Sequence, residues 1–366
     1  GYFSADFQDH ATLSLMMGLL RHHDHDKFEI HAFSYGLIKE SQSLDQAKGY
    51  FESFSDVERA SDDAIVALAR EKKIDIAIDL KGHTKLGRIG IFARRAAPVQ
   101  INYLGNPGTI GADFIDYMVV DKVTVPVTHK KYLAEKPIYL PHCYQPNDDQ
   151  RSIPETNTTR ADFGLPDNGF VFCSFNNTYK ISPREFDIWM RLLKQVDGSV
   201  LWLFKGNDYA AQNLRNEAQK RGVDPDRLVF AEKLSPSLHL ARHKHGDMLL
   251  DTFNVNAHTT ASDALWTGLP LVTLPGEQFA ARVAASILRA ANLPELIATD
   301  EAHYEAIALD LALHPEKIAA LKQKVKDQIK TCPLFDSEGY TRDLEAGFEA
   351  AYDRYLNGLE PDDIEV

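Results

Sequence analysis

The chain has 366 residues, 44% of them hydrophobic and 25% charged, so it reads as a soluble globular protein with material for two domains better than one. A formal net charge of -13 argues against nucleic acid as the main partner, although an anionic small ligand held by a few placed cations stays open. Three cysteines without paired spacing fit a reducing, cytoplasmic setting better than a disulfide framework, and no apolar stretch approaches the ~18 residues of a membrane span.

The chain opens at Gly1, without Met and in what reads as mid-strand (1–4), so a longer parent protein is expected. Leu13, Met16, Met17 and Leu20 form an i, i+3, i+4, i+7 apolar stripe that predicts a helix capped by Asp9. Asp6 and His10 then lie where strand hands over to helix. A strand at 28–35 and helical segments at 43–51 and 62–72 follow. Strands at 74–80 and 99–104 flank a helix at 89–95, and strands at 117–120 and 138–140 complete this half. Regular alternation of strand and helix predicts a parallel sheet covered on both faces.

The pattern stops between 143 and 169, where Pro146, Asn147, Asp148, Asp149, Pro154 and Pro166 mark a linker. A second alternating set follows, with strands at 170–174, 200–204, 228–231, 248–251 and 271–274. Helices are expected at 183–195, 209–221, 237–244, 259–266 and 280–290. The end of the chain is helical, with Leu344, Phe348, Tyr352 and Tyr355 on one face, and closes on an acidic tail at 360–365. The domains expected are therefore 1–142, a linker at 143–169, 170–335, and a terminal helix and tail at 336–366. The fold class is α/β, two doubly wound domains.

The stretch from Asp251 to Asp263 follows a buried strand and runs into a helix through small residues. Backbone N–H groups of a first helical turn near Ala257 to Thr260 lack intrahelical partners and sit at the positive end of the helix dipole, which suits a phosphate. The same residues also read as an ordinary cap, with Thr259 or Thr260 capping and Asp263 in the first turn. Two histidine groups resemble metal motifs. His22-His23-Asp24-His25-Asp26 reads better as a solvated turn, and His239 with His243 lacks the glutamate of a zincin. No metal is assigned.

Several segments together resemble the catalytic region of the O-GlcNAc transferase and SPINDLY family of protein glycosyltransferases. They are Gly1 to Phe7, Gly82-His83-Thr84-Lys85, Ala97 to Gln100, Leu104 to Thr109, Phe175 to Lys180, Ala257-His258-Thr259-Thr260 with Asp263, and Leu274 to Glu277 with Arg282 to Ser286. Their order and spacing match over nearly the full length. The resemblance implies a GT-B fold, two facing Rossmann-like domains with the donor in the cleft. It also implies inverting, metal-independent transfer of N-acetylglucosamine from UDP-GlcNAc to Ser or Thr hydroxyls of a protein acceptor, with no cofactor. Tetratricopeptide repeats would stand upstream in the full-length protein.

Carried over residue by residue, the resemblance makes Lys180 the cation at the β-phosphate, with His258, Thr259 and Thr260 at the helix start. His239 would stack on the uracil, with Arg242 and Leu234 beside it, and Asp263 would accept from the ribose. Pro236 stands where relatives carry a lysine, and Asn177 stands where animal relatives carry a glutamine. Asp6, His10 and Thr12 would frame the sugar and the incoming hydroxyl, and either Asp6 or His10 is chemically suited to take its proton. Gly105 would bring backbone close to the sugar, and Thr84 lies on another strand-end loop, with Lys85 a weaker candidate.

Three other functions compete. Relatives transfer fucose from GDP-fucose or glucosylate asparagine, some GT-B proteins epimerise UDP-GlcNAc, and a sugar-nucleotide binder without turnover would share the motifs. His258 before the paired threonines, with His239, favours uridine.

Overall fold

The computed structural model describes residues 1–39 and 41–366, which divide into two compact units, Gly1–Gln150 with Pro333–Val366, and Arg151–Cys332. The first unit begins with β1 (Tyr2–Ser4), α1 (Ala11–His22), β2 (His31–Ser34), α2 (Gln42–Lys48), β3 (Ser53–Asp56), α3 (Asp62–Glu71) and β4 (Ile76–Asp79). It continues through α4 (Gly90–Ala93), β5 (Val99–Asn102), β6 (Tyr117–Asp121) and β7 (Lys136–Leu140). The second unit holds β8 (Val171–Ser174), α5 (Pro183–Gln195), β9 (Val200–Phe204), α6 (Asp208–Lys220), β10 (Leu228–Ala231) and α7 (Pro236–Arg242). It ends with β11 (Met248–Leu250), α8 (Thr259–Trp266), β12 (Leu271–Val272), α9 (Val283–Ala290), α10 (Glu301–Leu313) and α11 (Pro315–Gln328). The chain then returns to the first unit as α12 (Ser337–Leu356) and β13 (Ile364–Glu365).

Among the described residues each unit carries one parallel sheet. The first has the order β13-β7-β6-β5-β4-β1-β2-β3, the second β10-β9-β8-β11-β12. Both are doubly wound. Chain order reverses between β1 and β4 in the first and between β8 and β11 in the second, and crevices at such switch points are where α/β sheets bind ligands. The central strands are buried on both faces, as in Val171–Ser174, which explains their near-continuous apolar runs.

Local chemistry fixes the helices. α5 starts with Pro183 after a capping box of Ser182 and Glu185, and α3 is capped by Ser61, which accepts from Ala64 N at 3.2 Å. α1 departs from expectation: its cap is His10 rather than Asp9, and the imidazole accepts from Thr12 N. α4 is a single turn, shorter than the helix expected at 89–95.

Two strands differ from the sequence reading. β3 is a half-exposed edge strand, Ser-Phe-Ser-Asp, without the alternation that announces a buried one. β13 lies in what reads as an acidic tail, pairing Ile364 with Ile138 of β7. On α12, Leu344 and Phe348 are buried as expected, Tyr352 is half-buried with its hydroxyl on Asp75, and Tyr355 is exposed.

His23 is likewise not part of a solvated turn. It is buried between the Tyr2 hydroxyl, 2.9 Å from Nε2, and Glu345 of α12, 2.9 Å from Nδ1. Burial holds its pKa below the ordinary value even though Glu345 pulls the other way.

Candidate active site

In the second unit the switch point is built on Asp251, which follows β11 and is wholly buried. Its carboxyl accepts from Thr252 N (2.8 Å), Ala257 N (2.6 Å) and the Thr273 hydroxyl (2.6 Å). These bonds fold residues 252–257 into a closed loop whose Asn256 carbonyl accepts from Lys180 Nζ at 3.0 Å. Lys180 arrives on a 3-10 turn, Thr178–Lys180, beyond β8, so its ammonium links the segments that follow the two strands where the chain order reverses.

Burial lowers the Lys180 pKa, with Asp251 opposing the shift. Burial likewise raises the Asp251 pKa to about 7, against its hydrogen bonds and Lys180. An anion at Lys180 would supply the charge that this pocket withholds from the ammonium.

α8 begins at Thr259, and its cap residue is His258, with no side-chain cap bond, so neither Thr259 nor Thr260 caps the helix. The first intrahelical bonds come from Ala261 and Ser262 to His258 O, and the N–H groups of Thr259 and Thr260 precede them. The pKa of His258 is lowered to about 3 by burial and then by Lys180. The ring is therefore neutral, and because Nε2 meets the Ala280 carbonyl at 3.1 Å, the proton sits on Nε2 and leaves Nδ1 as an acceptor. Lys180, His258 and the start of α8 thus form one cluster.

A second cluster lies on α7. His239 is half-buried, edge-on to Phe175 at 5.4 Å and to His243 at 4.7 Å, and its pKa is lowered to about 2, first by burial. A neutral, flat ring results. Arg242 is buried rather than offered outward, lying over Phe175 at 4.9 Å and donating to Glu232 O at 2.6 Å. Asp263 lies beyond the first turn of α8, and its Oδ1 accepts from Arg151 Nη2 at 2.6 Å. Leu234 is half-buried just before α7, and Asn177 is exposed just before the Lys180 turn.

In the first unit Asp6 follows β1, and Asp6 Oδ2 lies 2.7 Å from Lys81 Nζ and 3.5 Å from His10 Nδ1. Asp6, Lys81 and Thr12 are buried, and Thr12 Oγ1 is 3.2 Å from His10 Nδ1. The pKa of His10 is lowered, by burial first and against the pull of Asp6. Thr84 is half-buried and turns its hydroxyl to Lys81 O at 2.7 Å, while Lys85 is exposed. A Cβ at Gly105 would meet Leu80 O at 1.9 Å, so glycine is required there by the neighbouring strand end.

Sequence reasoning missed Lys81 and Arg151. The available signal for Lys81 is a charged residue two positions after the buried strand Ile-Ala-Ile-Asp, between Leu80 and Gly82.

A family model described as Glycosyl transferase family 41 matches residues 1–157 and 147–344. An Arabidopsis thaliana protein named as a probable UDP-N-acetylglucosamine–peptide N-acetylglucosaminyltransferase SEC is 35% identical over 372 residues, covering 100% of this chain and 38% of its own length. A Caenorhabditis elegans UDP-N-acetylglucosamine–peptide N-acetylglucosaminyltransferase is 28% identical over 477 residues, covering 100% of this chain and 41% of its own. The chain therefore spans about two fifths of these relatives. Among solved structures, a mutant of the Thermobaculum terrenum O-GlcNAc transferase superposes with a TM-score of 0.91 at 27% identity, covering 98% of this chain and 68% of that one. The two doubly wound sheets have the GT-B fold.

Proposed function

The chain belongs to glycosyl transferase family 41, and from that premise we propose that it transfers N-acetylglucosamine from UDP-GlcNAc to Ser or Thr hydroxyls of protein acceptors, with inversion and without a metal ion. The observation that carries this reading is the Lys180 ammonium, held by Asn256 O at 3.0 Å beside the start of α8. Breaking the bond from the sugar C1 to the β-phosphate oxygen leaves negative charge on the diphosphate, and donors fixed in advance stabilise that charge where it grows. Lys180, the N–H groups of Thr259 and Thr260, and the helix dipole supply them.

The neutral His239 ring suits stacking on uracil, and Asp263 suits the ribose hydroxyls, with Arg151 holding its carboxylate in place. On the acceptor side, the attacking oxygen bonds to C1 and gives up its proton. His10 Nδ1 is engaged by Thr12 N, so the neutral ring carries its proton on Nε2 and acts as a donor. Asp6 is left to take the proton.

Incubating the chain with UDP-GlcNAc and a peptide library is expected to give peptides with an added N-acetylhexosamine on Ser or Thr, read by mass spectrometry. A deoxyhexose shift with GDP-fucose in place of UDP-GlcNAc, free UDP-N-acetylmannosamine, or donor binding without any product would each overturn the proposal.

A further inference from the structure

The first sheet carries at its own switch point a device that the proposed reaction does not by itself require. Lys81 directly follows Leu80 at the end of β4, and Asp6 follows β1, the strand beside it where the winding reverses. Their side chains meet at 2.7 Å with about 6% and 7% exposure, so the pair is shielded from the water that weakens surface ion pairs. Asp79 Oδ1 fixes the backbone beneath it, accepting from Lys81 N at 2.9 Å and Gly82 N at 3.1 Å. Gly82 adopts a φ of +52°, and a Cβ there would lie 2.5 Å from that of Asn106, so the turn that presents Lys81 is closed on both sides.

His10 shares the same carboxylate oxygen from its other side, at 3.5 Å. The Lys81 and His10 nitrogens therefore lie within about 6 Å of each other, a range over which one charge acts strongly on another's ionisation. Two arrangements compete for Asp6. In one, Lys81 holds the carboxylate while neutral His10 caps α1 through Nδ1. In the other, a protonated imidazole donates to Asp6, loses the cap on Thr12 N and occupies the group that should receive the acceptor's proton.

We propose that Lys81 is a positioning residue that claims Asp6 through a buried ion pair and so reserves His10 for the helix cap and for donation from Nε2. This rests on the reading of Asp6 and His10 as the acceptor-side groups of a glycosyltransferase. The charged groups acting on His10 are Asp6, from its own loop, which favours the protonated ring, and Lys81, from the end of β4, which disfavours it. Burial is the largest influence lowering the His10 pKa, and Lys81 adds to it.

The test follows His10 ring resonances by NMR against pH in the intact chain. In Lys81→Met, which keeps the length of the side chain and removes its charge, the His10 pKa is expected to rise by about one unit. The acid limb of the kcat/KM profile for transfer to peptide should move up with it. Lys81→Gln removes the same charge while keeping a polar group for Asp6, so His10 should shift the same way; this second variant decides the matter if Lys81→Met does not fold. A His10 pKa unchanged in folded Lys81→Met, or in folded Lys81→Gln, overturns the inference. A wild-type chain whose His10 responds as expected but which transfers no sugar overturns the proposed function instead.

Discussion

Under the proposed function Lys180 and His239 do different work, and their variants should separate it. Removing the ammonium in Lys180→Met takes away stabilisation that grows during bond breaking, so kcat/KM for transfer is expected to fall about 100- to 1000-fold. UDP affinity should fall much less. His239→Ala removes a stacking face and should weaken UDP binding about tenfold by calorimetry, while His239→Phe keeps most of it. Lys180 stands in a contiguous motif, Phe175 to Lys180, whereas His239 is assigned through the family resemblance alone. Lys81 and Arg151 were not legible, because their partners, Asp6 and Asp263, lie 75 and 112 residues away and only the folded sheets bring them together. Arg242 shows the converse: one turn beyond His239 it reads as a ligand contact, yet the structure buries it against Phe175 and Trp202.

At the scale of elements, the loop from Asp251 to His258 owes its shape to one carboxyl. Asp251→Ala would leave the N–H groups of Thr252 and Ala257 and the Thr273 hydroxyl without their acceptor. Donors stranded in a dry interior make a loss of about 3 kcal/mol in unfolding free energy the expected outcome, measurable by denaturant titration. Donor binding should weaken as well, because Asn256 O would no longer hold Lys180 in place. The central strands and long helices were readable from periodicity, since burial on both faces demands unbroken apolar runs. Edge strands escaped it. β3 and β13 are short and only partly covered, so few side chains report their pairing.

Across the molecule, buried imidazoles set a pH dependence of stability. In the second unit burial lowers the pKa of His239 to about 2, His258 to about 3, His243 to about 4, and that of His245 as well. Each binds its proton more readily when unfolded, so its contribution is complete above the unfolded value of ~6.5 and is lost as pH falls from there toward the folded value. Asp251, raised to about 7, and Asp263, also raised, act in the opposite sense, being most favourable at low pH and losing that contribution as pH rises. In the first unit the pKa values of His10, His23 and His31 are lowered and those of Asp79, Asp116 and Asp343 raised, so seven imidazoles against five carboxyls predict that the calorimetric Tm drops between pH 7 and pH 5, and that Asp251→Asn makes the drop steeper. A flat Tm over that interval would contradict the assignment of these rings as neutral.

The first unit is made from both ends of the described chain, with α12 lying against α1 and β13 extending its sheet, whereas the second is one continuous stretch. Synthesis on a ribosome therefore delivers the second unit's last residue before the first can close. The half that begins to emerge later is the half able to finish earlier, and until α12 appears the part of α1 that it covers must wait without its partner.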